Sequence, residues 1–203
     1  PSLDISLISF FEGPDRIEIN AEVTPDGQIT KSGTNYTAVR DAIIADSVDT
    51  TDISIDIYSR VSAGNYRIKR GFFFFDLSAV PNFTYLEEAQ LYVQTVAGHL
   101  DPGWSFCVQA TTATPPITIN DYASFTGPIL TDLAWASRSP RVWFNDDGRQ
   151  YIKDNLGGVI GFCVRSYDFD YLAAAPASLY QFAIHDRFAA PAIIPILRLY
   201  GEQ

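Results

Sequence analysis

The side chains with chemistry to offer are few and scattered. The two histidines are His99, in the loop "AGHLDPGW", and His185, which precedes Asp186. A hydrolytic triad needs a nucleophile, a histidine and an orienting carboxylate brought together. No Gly-x-Ser-x-Gly elbow is present to hold such a nucleophile, so His185 reads better as a strand histidine hydrogen-bonded at a sheet end. Asp168 and Asp170 in "SYDFDY" would share one face of a strand at i, i+2. A glycoside hydrolase needs such a carboxylate pair, but nothing in the sequence marks one of the two as an acid with a raised pKa. The same segment and the acidic stretch "DSVDTTDISID" are candidates for a structural Ca²⁺, which takes several oxygen ligands. Neither has EF-hand spacing, and "NDDG" at 145–148 reads first as a turn or helix start. No phosphate-binding glycine loop or dinucleotide fingerprint occurs, and no other cofactor is expected. The expectation is a protein that is not an enzyme.

Binding would then rest on aromatic rings. Carbohydrate recognition needs exposed rings with polar groups beside them, and Trp104, leaving the tight turn "DPGW", is the leading platform. Tyr167 and Tyr171 join it as candidate glycan contacts, with Trp135 and Tyr122 behind them. Trp143 in "RVWFND" reads as a core strand residue. Cys107 and Cys163 are too few for a disulfide framework. Both sit at the centre of the same pattern, Phe-Cys-Val, and are expected close together on one sheet face if their strands are neighbours. They are either buried thiols or a single inter-strand bridge in an extracellular setting.

The elements that must position these residues are strands. "DRIEINAEV" alternates Ile17, Ile19 and Ala21 against Arg16, Glu18 and Asn20. "DISIDIYSRV" does the same with Ile53, Ile55 and Ile57. "AGNYRIKRGFFFFDL", "LEEAQLYVQTVA", "SFCVQATT", "VIGFCVRSY", "LYQFAIHD" and "IPILRLY" follow, with Gly, Pro or Asp between them. Only "INDYASF" and "NDDGRQYIKDNL" suggest helix, the latter with Asp146 and Asp147 at its start. The expected fold is an all-β antiparallel sandwich or jelly roll with at most one or two short helical turns. Residues 35–203 are expected to form the sandwich, with residues 1–34 as an N-terminal arm or accessory strands.

The chain of 203 residues is 47% hydrophobic and 14% aromatic, which suits a large core. Its net charge of −10 argues against nucleic acid as a partner, and no apolar run is long enough for membrane insertion. Pro1 is expected to follow removal of an initiator Met or cleavage of a longer precursor.

The stretch from Arg70 to Val93 resembles the DNRLRE-type β-sandwich modules. It has an arginine-started strand, a Phe75-Asp76-Leu77-Ser78 corner, the turn Val80-Pro81, and then Leu86, Ala89, Leu91 and Tyr92. "DNLGGVIGFCVRSYDFD" and Pro195-x-Leu197-x-Leu199-Tyr200 are similar to the late segments of that family, so the resemblance spans roughly Tyr36 to Tyr200. It implies a carbohydrate-binding-module-like fold of the kind found in secreted bacterial proteins and in phage or metagenomic viral structural proteins, mostly without catalytic residues.

One run does not alternate. Phe72, Phe73, Phe74 and Phe75 place two rings on each face of their strand, so both faces must be covered. The candidate covers are the N-terminal segment, with its "ISLISFF", or a neighbouring subunit, and the four phenylalanines are expected to serve assembly. The apolar loop "FAAPAIIP" points the same way. Arg70, Asp76 and Arg165 are expected to act structurally, with Arg70 and Asp76 on one face at i, i+6. The leading expectation is a non-enzymatic structural subunit, virion-associated (a decoration, fibre or capsid-associated protein) or on an extracellular surface. It would associate with itself or with other virion or surface proteins. The alternative is a secreted carbohydrate-binding module with glycans as partners; a polysaccharide hydrolase or lyase ranks below both.

Overall fold

A computed structural model describes residues 15–20, 27–51, 54–100, 104–135, 141–185 and 195–202. Among them, antiparallel strands build an all-β sandwich of two sheets. The smaller sheet has the order β1 (Asp15–Asn20), β14 (Ile196–Glu202), β6 (Tyr85–Tyr92), β11 (Arg141–Trp143). The larger runs β10 (Ala134–Trp135), β8 (Ser105–Thr111), β12 (Val159–Ser166), β5 (Asn65–Asp76), β4 (Ser54–Ser62), β13 (Leu179–His185), β7 (Thr95–Leu100). To it are added β2 (Gly27–Gly33) along β5, β3 (Ser47–Asp49) on β2, and β9 (Phe125–Ile129) on β8. β1 and β2, both within the first 34 residues, therefore enter different sheets. The β4–β5 hairpin closes through Ala63-Gly64, both at positive φ (48° and 76°). That is the backbone a two-residue hairpin turn of this hand requires.

The two helical expectations are met by a 3₁₀ turn at Ile119–Ala123 and by α2 (Asp146–Asp154). Asn145 caps α2 by accepting a hydrogen bond from the Gly148 amide (2.9 Å). A five-residue helix, α1 (Tyr36–Arg40), is capped in the same way by Asn35. It is too short to leave a helical periodicity in the sequence.

The four phenylalanines are divided between two cores. Phe73 and Phe75 point into the space between the sheets with Ile55, Ile57, Phe162 and Leu199. Phe72 and Phe74 point to the outer face of the larger sheet, where Ile29, Tyr36, Val39, Ile117 and Tyr122 cover them. Gly161 lies opposite Phe74; a Cβ there would come within 2.7 Å of the ring, so the glycine makes room for it. All four rings are at most 1% exposed, and each burial stabilises by roughly 1.5–3 kcal/mol. This corrects the expectation that Phe72–Phe75 serve assembly. Their second face is closed within the chain by a cap made of α1, the 3₁₀ turn and the loops around them, with β2 supplying Ile29. The segments "PSLDISLISFF" and "FAAPA" fall outside the described residues.

Candidate functional site

The buried tie between the cap and the sheet is Arg70. This residue lies on β5 in line with Phe72 and Phe74, facing the cap, and is 1% exposed. Its donors reach three different segments. Nε and Nη2 form a bidentate pair with Oδ2 and Oδ1 of Asp170 (2.6 and 2.7 Å). Nη1 donates to the Tyr122 carbonyl in the 3₁₀ turn (2.6 Å), and Nη2 also to the Arg40 carbonyl in the last turn of α1 (2.7 Å). Carbonyls at helix ends lack partners of their own, so one guanidinium satisfies both short helices. Its Cζ lies 3.9 Å from the Tyr122 ring centroid, and the Tyr122 hydroxyl donates to the Val39 carbonyl (3.1 Å). Burial disfavours the charge on Arg70, but the Asp170 carboxylate outweighs it and the pKa stands above the usual arginine value.

Asp170 comes from a turn that follows β12. Its "YDFDY" residues form a single π-type turn, Tyr167–Tyr171, whose start is capped by Ser166 Oγ accepting from the Phe169 amide (3.3 Å). The turn corrects the expectation that Asp168 and Asp170 share a strand face. Asp168 accepts from the amide and hydroxyl of Ser105 (2.8 and 2.9 Å), while Asp170 turns inward to the arginines. The expected link between Arg70 and Asp76 is also corrected. Asp76 is exposed at the end of β5, and its carboxylate accepts from the Ser78 amide (2.8 Å). Those hydrogen bonds from Ser78 hold it below the usual carboxylate pKa.

Arg165, on β12, shares this face of the sheet. Its Nε donates to Gln109 Oε1 (2.8 Å), and Nη1 lies 3.4 Å from Asp170 Oδ1. Phe125 stands 4.0 Å from its guanidinium on one side and Tyr171 5.2 Å on another. Beside Arg165 opens a cavity of about 440 Å³ lined by Arg40, Asp41, Arg70, Arg165, Asp170 and Tyr171, among others. Arg40 and Asp41 pair with each other on its rim. A cavity of about 490 Å³ along β2, β3 and β5 is lined by two cations, Lys69, paired with Asp56, and Arg67, which donates to Ser32.

The cysteines meet as the sequence implies. Arg165 is opposite Cys107 and Cys163 opposite Gln109 on neighbouring β12 and β8, so the two thiols are diagonal neighbours on one face. Both are free and buried. Burial pushes each up to about 12, which keeps them protonated and inert at neutral pH.

Of the aromatic candidates, Trp104 is corrected: it is 1% exposed and packs edge-on against Phe182 (6.4 Å) in the inter-sheet core. The sequence "DPGW" suggested exposure, but Trp104, just before β8, turns into the core. Tyr122 is fully buried. Trp143 is half-buried, since Val142 and Phe144 on either side of it take the core positions. Tyr167 and Tyr171 stack on each other (5.5 Å, 15°), with Tyr171 40% exposed at the cavity. His99 lies on β7 and His185 at the end of β13; Asp186 is outside the described residues. Among the described residues no three His, Cys, Asp or Glu converge on a metal-sized site. The carboxylates of the acidic stretch bind neighbouring side chains or amides: Asp46 to Lys31, Asp49 to Thr51, Asp56 to Lys69. In comparisons with known proteins, the chain matches no family model and no curated sequence.

Proposed function

We propose that the chain is a non-enzymatic structural subunit, a β-sandwich building block of a virion or of an extracellular surface assembly, that meets a second copy of itself through the rim of its cap. The observation that carries this reading is an aliphatic cluster there: Ile43 is 73% exposed, Ile44 47%, Ile119 39% and Val48 37%. Val48 is opposite the buried Ile29, so it points to the side of the sheet that the cap covers, just where the cover ends. Ala45 donates to the Ile119 carbonyl (2.8 Å), which brings the loop of Ile43 and Ile44 against the 3₁₀ turn. A chain of net charge −10 repels its own copies, and the exposed aliphatic side chains give them an apolar patch to meet through. The resemblance to DNRLRE-type modules supports the choice of a virion or extracellular setting. Light scattering over a concentration series tests the reading. The full chain should gain mass with concentration, and Ile43→Glu with Ile44→Glu should hold it monomeric. A wild-type chain that stays monomeric throughout refutes it.

The second reading, a secreted carbohydrate-binding module, draws its support from the Tyr167–Tyr171 stack, whose outer ring is exposed beside polar groups. It predicts a monomer whose sugar affinity is lost in Tyr171→Ala.

A further inference from the structure

We propose that the cavity beside Arg165 is a binding site for a small organic carboxylate, with the carboxyl group paired to the Arg165 guanidinium and the body of the ligand lying against Tyr171. The argument begins with charge. The cavity is lined by three guanidiniums, of Arg40, Arg70 and Arg165, and by two carboxylates, of Asp41 and Asp170, which leaves one positive charge in surplus. Arg40 and Asp41 neutralise each other at the rim. Asp170 is spent on Arg70, whose two hydrogen bonds to it are short, whereas Arg165 reaches it only at 3.4 Å. The uncompensated cation is therefore Arg165.

Among the described residues no further carboxylate lines the cavity, and Asp168 is turned to the amide and hydroxyl of Ser105. Burial holds the Cys107 and Cys163 thiols up to about 12, and it raises the Tyr122 hydroxyl as well, so all three stay neutral. A charge that is 93% buried and only partly paired is costly unless an anion joins it. Solvent anions are scarce around a protein of net charge −10, so a ligand must bring contacts beyond charge alone.

Geometry selects the class. Arg165 uses Nε on Gln109 and Nη1 on Asp170; among the described residues no hydrogen bond engages Nη2, and that atom is not among the buried polar atoms lacking partners. It is therefore open to the cavity. From there Nη2 can give a charge-assisted hydrogen bond to one oxygen of a carboxylate. One surplus charge fits a monoanion better than a phosphate dianion. Phe125 and Tyr171 flank the guanidinium, so the ligand's apolar face finds an aromatic wall in a volume typical of small-molecule sites. The site is independent of the aliphatic rim, and its test does not depend on oligomeric state.

The test is titration of the full chain with sodium glucuronate, sodium acetate, glucose and inorganic phosphate. Side-chain NMR of arginine Nε–Hε groups and the thermal midpoint are the readouts. Glucuronate should shift the Arg165 resonance saturably and raise the midpoint, with acetate weaker and glucose silent. Arg165→Gln should weaken glucuronate about ten- to a hundredfold, the span of one charge-assisted hydrogen bond. Tyr171→Ala, an exposed wall residue whose loss spares the fold, should weaken glucuronate severalfold and leave acetate unchanged. No saturable shift with either carboxylate overturns the proposal, as does glucose binding as well as glucuronate. Phosphate binding tighter than both carboxylates overturns the assignment of class.

Discussion

Asp170→Asn isolates the buried tie between cap and sheet. The two side chains of the pair are 1% and 0% exposed, so water cannot replace the lost carboxylate without opening the cap. The substitution keeps the shape of the side chain but removes its charge and puts an amide nitrogen where one acceptor stood. Arg70 then has one donor facing an N–H group, and the guanidiniums of Arg70 and Arg165 share the interior with no counterion. Removing one partner of a buried pair costs about 3–5 kcal/mol, a large part of the roughly 5–15 kcal/mol that holds a domain together. For a chain of this size each kcal/mol moves the thermal midpoint by about 2–4 °C, so a fall of about 6–20 °C is expected. Urea unfolding should give a lower midpoint with an unchanged slope if only stability is altered. Asp76→Asn is the matched control: Asp76 was the carboxylate expected from spacing to serve Arg70, but it is exposed and holds only the Ser78 turn, so its loss should lower the midpoint far less. Equal midpoints for Asp170→Asn and the wild type, or a larger fall for Asp76→Asn, refute the assignment.

The thiols supply a pH test. Each is raised by burial from 9.0 to about 12, so above about pH 9 the unfolded chain releases its protons first. Stability is then full below about pH 9 and falls as the pH rises towards 12, by up to about 1.4 kcal/mol per pH unit for each thiol. The Cys107→Ala, Cys163→Ala double variant should flatten that slope, although Tyr36, raised by burial from 10.0 to about 12, retains part of it. Native protein at pH 8 should resist maleimide labelling and take up two equivalents in urea; rapid native labelling contradicts the buried placement. Trp104→Ala should cost about 3–5 kcal/mol as a core truncation. Trp104→Phe should cost far less, because the indole N–H has no partner and its removal relieves an unsatisfied donor. Calorimetry on the two variants separates the cases, and equal losses contradict the account.

The sandwich was legible because a half-buried strand writes a period of two into its sequence, as Ile55 and Ile57 do on β4. The phenylalanine run was legible as a demand for a second cover, since four consecutive apolar residues leave no face for water. What supplied the cover was not, because α1 is only five residues long and the 3₁₀ turn that completes the cap lies far from it in the chain. The partner of Arg70 was hidden for a related reason: Asp170 is 100 residues away, on a turn whose "YDFDY" alternates as a strand would. Spacing along one strand nominated Asp76, but a carboxylate beyond the last core residue of β5 reaches water more cheaply than it reaches Arg70. The signal that could have found Asp170 is the pairing of two buried-strand arginines, Arg70 and Arg165, with an acidic residue shortly after the second.

An ionic tie stands between cap and sheet because of the helices the cap is made of. Short helical turns end in carbonyls without partners, and those of Arg40 and Tyr122 point at the sheet. An apolar residue at position 70 would fill the space and leave both carbonyls orphaned, so the usual gain from replacing a buried pair with hydrophobic side chains is cancelled here. A donor is needed, and arginine offers enough N–H groups to serve both. Its charge then requires a carboxylate, which the turn after β12 provides as Asp170. Arg165 adds a second cation to the same carboxylate while holding Gln109, and Gln109 in turn donates to the Gly127 carbonyl (2.8 Å) on β9. Each buried polar group thus requires the next, from the cap across the sheet to β9. Along this line of contacts the interior network reaches the cavity at the guanidinium of Arg165.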